Sequence, residues 1–256
     1  MLIDIHSHIL PGVDDGPPDM TSSIAMAQQA ATEGIRTIIA TPHHRDGRFL
    51  NPAQNIVDLV AQLNERLVEE DIPVKVLPGQ EIHIFGDMAR ELEEGELMPL
   101  TGEGSYVLVE LPASHVPHYT EQLLFDIQVK GFIPIIAHPE RNQEIVENPD
   151  KLYSLIKKGA YSQVTALSVA GGFGKKLQKF SLSLLDHNLA HFIAADAHDT
   201  RKRPFKLNKA YEVIEKKFGS GMVFQLMENA ELLAEGKTAF KDVPSRIKQK
   251  RILGIF

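Results

Sequence analysis

The amino-terminal stretch Met1-Leu-Ile-Asp-Ile-His-Ser-His8 is an apolar run too short for a helix, and it ends in two imidazoles one residue apart. It reads as a buried strand that carries metal ligands to its end. Side chains at i and i+2 of a strand share a face, so His6 and His8 point the same way where the extended geometry persists through Ser7. Neutral imidazole nitrogen ligates zinc, manganese and iron, and two converging rings make half of a typical site. A pair of surface histidines is the plainer alternative, and the rest of the chain decides between the two.

The same grammar repeats outward from this strand. Ile9-Leu-Pro-Gly-Val-Asp-Asp-Gly16 reads as an irregular loop, with Asp14 and Asp15 as oxygen ligands or as ordinary turn residues. A helix is expected from Met20 to Glu33, capped by Asp19 or Thr21 and stopped by Gly34. The β-branched run Ile35–Ala40 is a second strand that stops at Thr41-Pro-His-His44. Apolar residues at helical spacing over Ala53–Glu70 give a covering helix. Val74–Leu77 is a third strand, with Glu81 just past its end, and a short helix follows over Asp87–Glu94. Tyr106–Leu111 is a fourth strand whose penultimate residue, Glu110, is costly inside an apolar strand unless paired or metal-bound. A helix over Val116–Lys130 and a strand over Phe132–Ala137 lead to His138-Pro-Glu-Arg-Asn142. Pro149 opens a helix that ends near Gly159. Ser162–Ala166 is a weak sixth strand, Lys175–His187 a helix, and Ala190–Ala195 a seventh strand that runs into Asp196-Ala-His198. Two or three helices over Leu207–Glu235 complete the body.

Seven alternations of strand and helix in a chain of 256 residues imply a parallel sheet closed into an α/β barrel, as a single domain over residues 1–240. Residues 241–256 form a basic tail with Arg246, Lys248, Lys250 and Arg251, expected to be loose or packed on the body. Barrel sites form at the carboxyl ends of the strands. His6, His8, His43, Glu81, Glu110, His138, Asp196 and His198 all fall there, and the sixth strand alone has no obvious ligand. Their repeated placement favours a metal site over eight separate coincidences. The set exceeds one coordination sphere, so two or three ions bridged by a carboxylate are expected. Histidine and carboxylate without thiolate suit manganese, iron or zinc.

Composition narrows the chemistry further. The absence of cysteine removes disulfides, thiolate ligands and any cysteinyl-phosphate route. A formal charge of -7 offers no basic field for nucleic acid. No apolar run approaches a membrane span, and the opening strand leaves no signal-peptide core, so a cytoplasmic protein without membrane insertion is expected. His44, His83, His115, His118, His187 and His191 are assigned to structure or surface.

The segments Asp4–Gly16, Thr41-Pro-His43, Pro78-Gly-Gln-Glu81, Val109-Glu110, Ile136-Ala-His-Pro-Glu-Arg141 and Ala195-Asp-Ala-His198 resemble the polymerase and histidinol phosphatase (PHP) family. More narrowly, they resemble its bacterial protein-tyrosine phosphatases of capsule and exopolysaccharide loci, the YwqE/CpsB type. The resemblance implies a distorted seven-stranded (β/α)7 TIM-like barrel holding three metals, usually manganese. It implies that His6, His8, Glu81 and Asp196 hold one ion, Glu81, Glu110 and His138 a second, and Asp15, His43 and His198 a third, with Asp14 adjacent to Asp15 and able to replace it. Arg141 and Arg203 resemble the arginines that hold phosphate, a role that suits the guanidinium fork. Alternatively, Arg141 pairs with Glu140 or Glu144, and Arg203 is a solvated charge. By this resemblance the substrate is phosphotyrosine on the tail of a bacterial tyrosine kinase, and His43 or a metal-bound water is the proton source for the leaving phenolate. Hydrolysis of histidinol phosphate or another small phosphomonoester is the nearest alternative, and a non-catalytic kinase-binding partner is a more distant one. The oligomeric state has no signature in the chain.

Overall fold

The computed structural model describes residues 2–248, with helices covering the strands of two parallel sheets. One sheet has the order β1 (Leu2–Ser7), β2 (Ile35–Ala40), β4 (Lys75–Pro78). The other runs β3 (His43–His44), β5 (Glu81–His83), β6 (Tyr106–Glu110), β7 (Ile133–Ala137), β8 (Tyr161–Thr165), β9 (Phe192–Ala194). The nine segments trace seven strands, because the second and third are interrupted at Thr41-Pro42 and Gly79-Gln80. Proline lacks the amide hydrogen that a ladder needs and glycine packs no side chain, so both mark breaks. Pairing resumes in the same register after each break, with Ala40 opposite Pro78 and His43 opposite Glu81. The interruption therefore changes sheets without losing alignment.

The ring of strands comes together between β1 and the segment after β9, near their carboxyl ends. Asp196 N–H donates to His6 O at 2.8 Å, and His8 N–H to Ala197 O at 2.9 Å. Helix α10 (Ser220–Ala234) packs against both β1 and β9. Its Ala230 and Leu233 join an inner core of Ile3, Ile5, Ile39, Leu108, Ile135, Phe192 and Ala194. Each such large aliphatic or aromatic side chain contributes about 1.5–3 kcal/mol by leaving water. A larger outer core joins the sheets to the helices, including Ile24, Met26, Ala27 and Ala30 of α1 (Met20–Thr32) and Ile56, Val60, Leu63 and Leu67 of α2 (Ala53–Glu69). Asp19 caps α1 by accepting from Ser22 N–H, as its position before the helix suggested.

Differences from the sequence reading are local. Helix α4 (Thr120–Val129) begins four residues later than expected, since Val116 precedes a proline and gives its N–H to Glu144 instead. Two five-residue helices had not been anticipated, α5 (Gln143–Glu147), capped by Asn142, and α7 (Ala166–Ala170), which ends at Gly171 in the left-handed region. Both are too short for a periodic signal.

Residues 237–246 lie against the base of the barrel. Tyr106 Oη accepts Ala239 N–H, Tyr161 Oη donates to Ala239 O, and Lys241 Nζ donates to Ala160 O. Arg246 pairs with Asp150 and stacks on Tyr153. Lys250, Arg251 and the apolar tip of the expected tail lie outside the described residues. No helix among the described residues is long and apolar enough to cross a membrane.

Candidate metal centre

Strand ends and the turns after them deliver every side chain that the sequence pointed to. In β1, the four residues from Asp4 to Ser7 stand opposite three of β2, Ile38 to Ala40, which marks a bulge at the edge of the site. His6 and His8 still converge, with their Nε2 atoms 3.3 Å apart. At the ends of β7 and β9, His138 (φ 31°) and Asp196 (φ 50°) adopt the left-handed backbone that non-glycine residues rarely take. Such strain costs about 1–3 kcal/mol per residue and persists where the surroundings enforce it.

The floor of the cluster is formed by His6 Nε2, His8 Nε2, Glu81 Oε2 and Asp196 Oδ1. Each imidazole nitrogen lies 3.3–3.5 Å from both carboxylate oxygens. Tetrahedral ligands at about 2.1 Å from a metal stand about 3.4 Å from one another, so the spacing suits one ion. Glu81 extends the cluster with both oxygens. Its Oε2 is 3.0 Å from His43 Nδ1, and its Oε1 is hydrogen-bonded to His138 Nε2 at 2.8 Å. Two further groups have ligand atoms close enough to share an ion: His43 with Glu81 and Glu110, and His8 with Asp15, His43 and His198. These groupings place His43 rather than His138 beside Glu110 and add His8 to the third set. Asp15, not Asp14, turns into the cluster, 3.2 Å from His198 Nε2.

Buried atoms without partners mark where ions fit. His43 Nδ1, Glu81 Oε2 and His198 Nε2 have no hydrogen-bond partner among the described residues, although each has an opposite-type atom 3.0–3.2 Å away. Their lone pairs are not aligned for proton sharing. An unpaired buried carboxylate oxygen is expensive, and a cation between these atoms would relieve it.

A second layer orients the first. Gln163 Oε1 meets His6 Nδ1 at 2.9 Å, and Asp14 Oδ2 meets His8 Nδ1 at 2.7 Å, which leaves each Nε2 for the centre. Asp14 also accepts the His43 and Gly16 N–H groups. His198 Nδ1 approaches Asp196 O at 3.0 Å, and His83 Nδ1 approaches Glu110 Oε2 at 3.1 Å. His83, assigned to structure or surface from sequence, thus belongs to the site. It lies two residues from Glu81 on β5, a period-two relation that could have flagged it. Gln163 supplies what the sixth strand seemed to lack, but a neutral amide gives no signal in a search for ligands. Arg141 Nη1 and Arg203 Nη2 both donate to Asp196 Oδ2, at 2.5 and 2.7 Å, so neither is the solvated charge nor the Glu140 or Glu144 pair that the sequence also allowed.

Protonation follows this layout. Burial alone would raise Glu81 and Asp196, yet His6 and the other cations around them hold both well below the carboxylate range. Burial would lower His6, His8 and His43, but Glu81, Asp14 and Asp196 outweigh it and all three rise. Burial, reinforced by the nearby His8, pushes His198 down to about 4 and keeps it neutral. Beside Asp15 and His198 a groove of about 370 Å³ opens between Pro17, Pro18, Met26 and Thr200.

A parallel α/β ring with a carboxylate-bridged histidine cluster at its strand ends defines a metal-centred α/β barrel protein. Residues 2–235 match the capsular polysaccharide synthesis CpsB/CapC family, and the chain belongs to it. It is 51% identical over 255 residues to the tyrosine-protein phosphatase YwqE of Bacillus subtilis, with 100% of both chains covered. A solved structure from work on YwqE of B. subtilis and CpsB of Streptococcus pneumoniae, described as unique metal-dependent tyrosine phosphatases, superposes with a TM-score of 0.95. Its identity is 52%, covering 97% of this chain and 100% of that one. The phosphotriesterase homology protein of Escherichia coli, 12% identical with a TM-score of 0.52 over 87% of this chain and 94% of its own, shares the fold alone.

Proposed function

We propose that this chain is a metal-dependent protein-tyrosine phosphatase that hydrolyses phosphotyrosine at the His6–Asp196 cluster. The observation that carries the reading is Glu81, buried and shared between two of the three ligand groups of a histidine and carboxylate cluster, with Arg141 and Arg203 converging on Asp196 at its edge. The likeness to YwqE supports phosphotyrosine as the substrate. In this reading His6, His8, Glu81 and Asp196 hold one ion, Glu81 and Glu110 with His43 or His138 a second, and Asp15, His43 and His198 a third. Manganese is the proposed metal, and iron or zinc suits the same donors. Metal ions held there supply Lewis acidity, activating water and neutralising charge on the phosphoryl oxygens.

The chain's own groups do the rest. Arg141 and Arg203 exchange their bonds to Asp196 for phosphoryl oxygens and stabilise the charge that grows there. The new P–O bond forms from water as the bond to the phenolic oxygen breaks. The departing phenolate, whose conjugate acid has a pKa of about 10, needs little help: the attacking water supplies its proton, or His43 does where it is not holding an ion. The groove beside Asp15 leaves room for polypeptide around the phosphotyrosine. The proposed substrate is a bacterial tyrosine kinase tail, in a cytoplasmic pathway of capsule or exopolysaccharide synthesis. Residues 1–240 are the proposed catalytic domain, with 241–256 a basic tail appended to it.

Phosphate release from a phosphotyrosyl peptide and from histidinol phosphate, measured side by side with manganese, tests the assignment. Preference for the peptide is expected. Preference for histidinol phosphate would keep the site and overturn the substrate.

A further inference from the structure

The cluster has a sealed floor and an open rim. The side chains of His6, His8 and Glu81 are 0% exposed and that of Asp196 1%, against 14% for His43, 35% for Arg141 and 42% for Asp15. On the His43 side the rim continues into a phenyl ring. Phe49 lies parallel to the His43 imidazole, with an interplanar angle of 6° and centroids 6.3 Å apart. Among the described residues it is the only phenylalanine or tyrosine in ring contact with a histidine of the cluster.

The loop that carries it is braced. Asp46 Oδ1 accepts the Arg48 and Phe49 N–H groups at 2.9 and 2.7 Å, and Arg45 N–H donates to Phe49 O at 2.9 Å. Asn51 Nδ2 ties the loop to His43 O at 2.7 Å. The exposed Arg48 guanidinium sits 5.2 Å from the Phe49 centroid and, among the described residues, has no carboxylate partner. A flat ring and a flat cation thus stand together at the mouth, on the side of His43 rather than of the arginines.

We propose that Phe49, with Arg48 over it, is a specificity-determining wall that contacts the aryl leaving group of the substrate. This rests on the phosphatase reading above. The phosphoryl group lies toward Arg141 and Arg203, and the tyrosyl ring leans past His43 onto Phe49 in the offset or edge-to-face contact that aromatic pairs favour. Arg48 offers the same ring a cation–π contact. An alkyl phosphate reaches the cluster equally well and gains nothing from the wall.

Calorimetry on the metal-loaded full chain, with phenylphosphonate and methylphosphonate as ligands that cannot be hydrolysed, tests the wall without turnover. The wild type should bind the phenyl compound about tenfold more tightly. Phe49→Ala should bring the two affinities together while leaving methylphosphonate binding and metal content unchanged, and Phe49→Tyr should restore the difference. With the phosphotyrosyl peptide, Phe49→Ala should raise KM and hold kcat. An aryl preference that survives in Phe49→Ala, as it would if the ring lay in the groove beside Pro17 and Met26, overturns the proposal. Equal weakening of both phosphonates also overturns it, because Phe49 would then only brace the loop. A wild type that shows the Phe49-dependent preference but releases no phosphate from the peptide would sink the phosphatase reading and leave the wall standing.

Discussion

Each imidazole on the cluster floor has its outer nitrogen held, His6 by Gln163 and His8 by Asp14, so the inner nitrogen is presented without rotational freedom. Such partners tune metal affinity by about 10–100-fold. Gln163→Leu keeps the volume, removes a buried Nε2 that lacks a partner, and frees the His6 ring. Metal affinity should fall within that range while the thermal midpoint of the metal-free protein holds; unchanged affinity would contradict the role. Protons compete with metal at the same rings. In the folded metal-free protein His6, His8 and His43 are raised, so their stabilisation is complete below their unfolded pKa of about 6.5 and is lost as pH rises through the folded values. His198, at about 4, has lost its proton well below this range, and Asp4, raised by burial to about 7, loses the rest of its proton within it and lowers stability in the same direction. The thermal midpoint of the metal-free protein should therefore fall from pH 7 to 9 while manganese affinity rises, and a flat midpoint would count against these charged pairs. All nine expected residues converge: eight were legible as histidine or carboxylate at strand ends, whereas Asp15, in the loop after β1, was one of two neighbouring aspartates that the sequence left open. Gln163, His83 and Phe49 stayed hidden, because an amide, a lone histidine and a loop phenylalanine have ordinary explanations until the fold places them.

The elements position this chemistry through irregularities rather than through ideal strands. The bulge in β1, the breaks at Pro42 and Gly79, and the left-handed His138 and Asp196 all fall beside the cluster. Strand and helix order was legible from hydrophobic period. These one-residue departures were not, since tertiary pairing decides them. The loop bearing Asp14 and Asp15 is a sharp case. A Cβ on Gly16 would stand 2.3 Å from His8 O, a backbone atom that cannot step aside without moving the first strand end. Gly16→Ala should displace that loop, cost about 1–3 kcal/mol in denaturant unfolding and weaken metal binding. Unchanged stability and affinity together would show that the loop tolerates the shift.

Over the whole molecule, a ring joined at one end and packed by α10 brings side chains from four other strand ends, His6 and His8, His43, Glu110 and His138, within reach of a single Glu81. Burying Asp4, His6, His8, Glu81 and Asp196 in one place is unfavourable for folding alone, and metal binding offsets it by linkage, about 4 kcal/mol at a thousandfold excess over Kd. The sequence disclosed the seven alternations and hence the barrel class, but not the division into two sheets. The direct measurement is phosphate release from a phosphotyrosyl peptide by metal-stripped protein as manganese is titrated back. No turnover without metal, rising to a plateau at two or three equivalents, is the expected result; full turnover by the stripped protein would contradict the account.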